Sequence, residues 1–170
     1  MHKTVWQRTV PAKSLEKQDT ASLIPVAGER GGTVLAFDFG TQRIGVALGD
    51  LALGIAHPLV TINDAVTSRR FEAIAGLITQ WQPVLLLVGL PVHADGTGHE
   101  LTRLSRRFAH RLAGRFGIRA ILVDERYTSD VASAVLNEAG VRGRKQKPVL
   151  DQVAAQQILQ SYFDSEHVST

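Results

Sequence analysis

Residues 34–50 read VLAFDFGTQRIGVALGD, and the carboxylate of Asp38 stands inside the apolar run that opens the stretch. VLAFDF has the character of a buried strand, and VLLLVGL at 84–90 is a continuous apolar strand of the kind covered on both faces in α/β proteins. An unpaired charge in such a setting is costly, so Asp38 must be paired, hydrogen-bonded or bound to a cation.

The segments around these runs set the order of elements. RIGVALGD follows VLAFDF after a short turn through Gly40 and Thr41, and IAHPLVTI is a third strand, where Pro58 predicts an edge or a bulge. SRRFEAIAGLITQW places Phe71, Ile74, Leu77 and Ile78 on one helical face. ELTRLSRRFAHRLAGRF does the same with Leu101, Leu104, Phe108 and Leu112, leaving its arginines to the other faces. RAILVD is a fifth strand. SDVASAVLNEAG reads as a helix with Ser129 as N-cap and Gly140 as its stop, VRGRKQKPV as a basic loop, and LDQVAAQQILQSYF as a closing helix.

Three meandering strands followed by alternating helices and strands predict a mixed five-stranded sheet flanked by helices. This α/β order is the ribonuclease H-like layout, with the first strand central beside the fourth and the second antiparallel to the rest. Residues 33–165 are expected to form that domain. Residues 1–32 show no sustained period, end in GERGG, and read as a flexible extension.

At 170 residues the chain suits one domain, and no apolar run approaches the roughly 18 residues of a membrane span. No uninterrupted apolar segment of a secretory signal opens it. With no cysteine, disulfides and thiolate metal sites are excluded, which fits a cytoplasmic protein. Net charge is only +3, yet Arg103, Arg106, Arg107, Arg111, Arg115 and Arg119 cluster without an acid among them. Arg142, Arg144, Lys145 and Lys147 form a second group. Such clusters favour a polyanionic partner, although solvated faces would look the same.

Asp38 falls near the carboxyl end of its strand, where ligands gather in open α/β sheets. The pair Asp124 and Glu125 ends the fifth strand, and Asp151 begins the last helix, with Ala154 and Ala155 letting that helix lie close to the sheet. Converging carboxylates without His or Cys make a hard oxygen site suited to Mg²⁺ or Mn²⁺. Each acid also has a structural reading. Asp38 can accept hydrogen bonds from the turn at 40–42, Glu125 can pair with Arg126 or Arg142, and Asp151 can cap its helix. Gly96, Thr97 and Gly98 form a candidate phosphate loop through backbone amides. Arg43 and Arg126 flank the acids and can hold phosphate oxygens, with pairing to Asp50 or Glu125 as the rival.

Four stretches, FDFGTQRIGVALGD, LVGLPVHADGTG, DERYTS and DQVAAQQILQSYFD, span roughly residues 34 to 164 in one order. In that order they resemble the YqgF/RuvX family of ribonuclease H-like proteins, described as pre-16S rRNA nucleases or Holliday-junction-resolvase-like proteins. Ser129 stands where the family often has a second Thr. The resemblance implies Asp38, Glu125 and Asp151 as the acidic site, and a cytoplasmic role in maturing the 5′ end of 16S rRNA.

The expected activity is metal-dependent phosphodiester hydrolysis on an RNA precursor by a monomer or weak dimer. Arg43, Arg126, Arg106, Arg107, Arg142, Arg144, Lys145 and Lys147 would bind the nucleic acid. Cleavage of branched DNA and non-catalytic nucleic-acid binding are the alternatives. DFGT also resembles the phosphate loop of actin-like ATPases, but those need two such domains, and this chain has no internal repeat.

Overall fold

The buried runs pair as their apolar pattern requires. The computed structural model describes residues 31–92, 98–125, 140 and 146–168. Strands β1 (Thr33–Phe39), β2 (Ile44–Asp50) and β3 (Ile55–Ile62) form an antiparallel meander. Helix α1 (Thr67–Trp81) leads to β4 (Leu85–Leu90), α2 (Glu100–Phe116) leads to β5 (Ala120–Asp124), and α3 (Gln146–Val168) follows. The sheet order is β3-β2-β1-β4-β5, with β4 and β5 parallel to β1. β2 is therefore antiparallel to all other strands, as the element order predicts. Both expectations for Pro58 hold: β3 is an edge strand, and its register against β2 shifts so that Val46 faces Val60 while Ala47 faces Pro58.

Alternation along the strands builds two cores. Leu35, Phe37, Ile44, Val46, Leu86 and Val88 pack under α1 and α2, against Phe71, Ile74, Phe108 and Leu112. Val34, Ala36, Ala47, Leu85 and Leu87 pack under α3, against Ala155, Ile158, Leu159 and Phe163. Phe108 fixes the first core, with the Phe37 ring edge-on at 5.9 Å and the Phe39 ring at 4.8 Å. Burying one such ring is worth about 1.5–3 kcal/mol.

Two helices differ from expectation. The buried stripe of α2 runs through Thr102, Ser105, Phe108, Ala109 and Leu112, while Leu101 and Leu104 are only partly covered. Thr102 can be buried because its hydroxyl is used twice, accepting from the His99 N–H at 2.9 Å and donating to the Pro91 carbonyl. Helix α3 begins at Gln146 rather than Leu150, so Lys147 stands on a helix and not in a loop. Pro148 is compatible with that first turn, where no backbone N–H has a helical acceptor. Its carbonyl accepts from the Thr61 hydroxyl at 2.5 Å.

Further along, α3 covers the free edge of β3. Gln156 donates to the Ala56 carbonyl, and Gln160 accepts from the Ala56 N–H and donates to the Gly54 carbonyl. An exposed strand edge is thus supplied with partners from the chain itself. Residues 129–139 of the expected helix and the extension over 1–30 lie outside the described residues; Gly140, its expected stop, is in a turn at φ 76°.

Candidate active site

Asp38 lies one residue before the end of β1 and faces α3, on the same side as Val34 and Ala36. Its neighbour across β2 is Gly45. Continuing the β1–β4 register past Phe37 and Val88 puts Gly89 on the other flank. Both flanks are kept clear for a reason. A Cβ on Gly45 would fall on the backbone carbonyl of Asp151, and a Cβ on Gly89 would fall on the Glu125 carboxylate. The two glycines therefore admit the two other acids to the place where Asp38 emerges.

Asp124 and Glu125 part at the end of β5. Asp124 is exposed at the end of β5, whereas Glu125, the next residue, turns back over Gly89. Its backbone N–H donates to the Leu90 carbonyl at 3.3 Å and so stays tied to β4.

Asp151 is not a helix cap. It lies past the first turn of α3, and its Oδ2 accepts from Arg43 Nε at 2.6 Å. This partly buried ion pair is the structural partnership of Arg43, in place of the pairing with Asp50 or Glu125 that the sequence left open. Asp50 instead accepts from the N–H groups of Ala52 and Leu53 in the turn after β2.

Charge in this cluster is held at a cost. Burial first, and then the charge of Asp151, pushes Asp38 from 3.8 up to about 7. Burial, then Asp38, then Asp124, pushes Glu125 from 4.5 up to about 8. The hydrogen bonds to the 40–42 turn that could have satisfied Asp38 are not formed: among the described residues no donor reaches its carboxylate. Gly40 N–H goes to the Arg43 carbonyl at 2.9 Å, closing the turn on itself. Desolvation and like charge thus act together on two acids without compensation from the turn.

The donor set suits a hard divalent cation: carboxylate oxygens alone, gathered at the carboxyl ends of strands, with Asp38 and Glu125 raised in pKa by burial and then by like charge. Asp38 is the member common to both charge couplings, with Asp151 on one side and Glu125 on the other. The three acids nevertheless do not stand as a closed ligand cluster. No group of three His, Cys, Asp or Glu among the described residues is spaced to hold one ion. Asp151 is engaged by Arg43, and the carboxylates repel one another.

The basic residues divide between places. Arg43 is at the site. Arg106 and Arg107 are exposed on α2, which lies on the opposite face of the sheet from the acids. Lys147 is exposed in the first turn of α3. Arg126, Arg142, Arg144 and Lys145 lie outside the described residues, as do Gly96 and Thr97. Gly98 is exposed just before the N-cap residue His99. Sequence reasoning missed Gly45, Gly89 and the buried Arg70. The alternation of large and small residues in IGVALG carried the signal for the first; nothing in the pattern pointed to Arg70.

Comparison with known proteins bears on the family and the fold. RuvX, described as Holliday junction resolvase, matches residues 32–165. A protein of Nitrosospira multiformis, provisionally named pre-16S rRNA nuclease, is 66% identical over 139 residues, covering 82% of this chain and 92% of that one. One from Chromobacterium violaceum with the same provisional name is 66% identical over 131 residues, covering 76% and 96%. Among solved structures, Thermus thermophilus RuvC in complex with Holliday junction substrate superposes with a TM-score of 0.51 at 14% identity, covering 79% and 95%. The fowlpox virus Holliday junction resolvase gives 0.50 at 15%, covering 78% and 99%. These structural likenesses bear on the fold, which is ribonuclease H-like. With the family matched over residues 32–165, from the first strand to the last helix, the chain belongs to the RuvX family.

Proposed function

We propose that this chain is a divalent-cation-dependent phosphodiester hydrolase that processes the 5′ end of pre-16S rRNA in the cytoplasm. The observation that carries the reading is the pair Asp38 and Glu125, pushed up to about 7 and about 8 with no hydrogen-bond donor to either carboxylate among the described residues, at a place that Gly45 and Gly89 leave room for. A fold under no functional demand would replace such acids with neutral side chains. The names of relatives at 56–66% identity supply the substrate. No helix among the described residues is long and apolar enough to cross a membrane.

As they stand the three acids are not spaced to hold one ion; Asp38, Glu125 and Asp151 would hold the cation by closing on it as its charge offsets their repulsion, with Asp38 central. Bound there, the ion would lower the pKa of water and offset charge on the phosphate. Arg43 orients Asp151 through Nε and leaves its terminal nitrogens to meet a phosphate oxygen. The exposed arginines of α2, with Lys147, give the fold a positive surface for the backbone of the substrate.

A second reading is favoured by the description of the matched family: cleavage of branched DNA. Symmetric cutting of a junction needs two active sites, hence a dimer. The test compares a 5′-extended pre-16S RNA with a four-way DNA junction, each with and without Mn²⁺. The expected result is Mn²⁺-dependent cutting of the RNA that disappears in a folded Asp38→Asn protein. Junction cutting alone would transfer the assignment to DNA, and Asp38→Asn cutting RNA at the wild-type rate would remove the acidic site from the chemistry.

A further inference from the structure

On the sheet face opposite the acids, a cavity of about 420 Å³ opens between the first turns of α1 and the body of α2. Phe39, Thr41, Arg70, Arg107, Phe108 and Arg111 are among the residues that line it. This is the size of a site for one small ligand, and it combines an aromatic floor with guanidinium walls.

Arg70 makes the cavity a built feature rather than a gap between helices. Its side chain is only 6% exposed, its Nη2 donates to the Gly40 carbonyl, and its guanidinium lies 5.0 Å from the centre of the Phe39 ring. The Nε is buried with no hydrogen-bond partner among the described residues. A buried guanidinium with a donor unused is costly; the Asp64 carboxylate offsets part of its charge, and an anion in the cavity would offset the rest. Arg107 and Arg111, one turn apart on α2, add like charge at the same opening, and neither forms an ion pair among the described residues. Three cations converging on an aromatic, part-apolar cavity fit a phosphate joined to a ring: a nucleotide.

Position selects the source of that nucleotide. Asp38 and Phe39 are consecutive on β1 and point to opposite faces, so the acids and the cavity lie on the two sides of the same carboxyl end of the strand. Arg70 grips that end through Gly40. We infer that the cavity receives one nucleotide of the RNA strand cut at the acidic site, with its phosphate on Arg70, Arg107 and Arg111 and its ring against Phe39. The inference rests on the nuclease reading and adds a subsite that would set where along the strand the cut falls.

The neighbouring arginines of α2 provide the test, because Arg106 and Arg107 are both exposed and only Arg107 lines the cavity. Binding of a short labelled single-stranded RNA to the full chain is measured in divalent-free buffer for Arg106→Ala, Arg107→Ala and Arg111→Ala. Competition by 5′-AMP is measured alongside. A seated nucleotide predicts about tenfold weaker RNA binding for Arg107→Ala and Arg111→Ala but no more than about threefold for Arg106→Ala. AMP should compete weakly against the wild type and not at all against Arg107→Ala. Equal losses at Arg106 and Arg107, or no loss at either, would overturn the subsite in favour of diffuse charge. AMP binding more tightly than the RNA would overturn it in favour of a free-nucleotide site. If Asp38→Asn abolishes cleavage while Arg106 and Arg107 variants bind alike, the subsite falls and the nuclease reading stands.

Discussion

The Glu125 carboxylate occupies the space that a Cβ on Gly89 would fill. An acid from the end of β5 thereby reaches across β4 toward Asp38, and β4 carries glycine at that point in an otherwise apolar run. Gly89→Ala should leave the sheet intact but push Glu125 out, because the atoms it meets are the far ends of side chains, Glu125 and Ile158. The expected cost is about 1–3 kcal/mol from overpacking, with RNA cleavage falling at least as far as in Glu125→Gln. Melting temperature and cleavage rate measured together check this. Full activity in Gly89→Ala would show that Glu125 is not needed where it sits.

Gly45→Ala is expected to be the more damaging change. Its Cβ would meet backbone of Asp151, which cannot rotate away as a side chain can. The helix α3 would have to lift from β2, disturbing the core that Ala155, Ile158 and Leu159 form beneath it. Thermal unfolding should show a larger loss than for Gly89→Ala. An equal or smaller loss would mean that α3 is seated less firmly than the close approach indicates.

Stability should also depend on pH in a direction fixed by the raised acids. The folded chain retains protons on Asp38 and Glu125 up to about 7 and about 8, while the unfolded chain releases them near 3.8 and 4.5. Folding therefore binds protons between these values, and in the absence of divalent ions stability falls as pH rises through that window. Asp38→Asn removes its share of the penalty. It should stabilise the metal-free protein at pH 8.5 by on the order of 2–4 kcal/mol, with the gain shrinking toward pH 4. Denaturant unfolding across the range tests the sign, and a gain that does not vary with pH would contradict it.

Arg43 sits at a branch between support and competition, since its Nε holds the Oδ2 of Asp151 at 2.6 Å. The side chains are 32% and 20% exposed, so the pair contributes modestly to stability. Its expected importance is orientation. Arg43→Ala should change the melting temperature little, lower RNA cleavage, and raise the Mn²⁺ concentration needed for half-maximal rate. Unchanged Mn²⁺ dependence would separate Asp151 from the cation.

How far the sequence revealed this arrangement follows from the range of the interactions. VLAFDF and VLLLVGL announced the sheet because burial on both faces leaves an uninterrupted apolar run, and Glu100–Phe116 announced α2 because its period is local. The acids were legible for the same reason, Asp38 being out of place in its own strand. The role of Arg43 was not, because Asp151 lies 108 residues away. The small residues of α3 were expected to permit its approach to the sheet. Ala155 is indeed buried there, but the closest approach is made on β2, where Gly45, Ala47 and Gly49 alternate with Ile44, Val46 and Leu48. Arg70 could not be anticipated at all: its place depends on how α1 meets the β1–β2 turn.

The raised acids also predict how a cation should bind. At pH 6.5 Asp38 and Glu125 are largely protonated, so a divalent ion must displace protons to reach them, and its affinity should climb with pH toward about 8. Ligand binding to the folded state alone raises stability by about 1.4 kcal/mol for each tenfold excess over its dissociation constant. Mn²⁺ should therefore raise the melting temperature of the wild type more at pH 8 than at pH 6, reversing the loss that the metal-free chain suffers over the same range. Titration calorimetry in buffers of different ionisation enthalpy should detect about one to two protons released per binding event near pH 6.5. Asp38→Asn should lose both the shift and most of the proton release, and Glu125→Gln should lose part of each. These readouts do not depend on cleavage, so they separate cation binding from substrate choice. If Mn²⁺ shifts the melting temperature of Asp38→Asn as much as that of the wild type, the ion binds elsewhere and the raised acids have another cause.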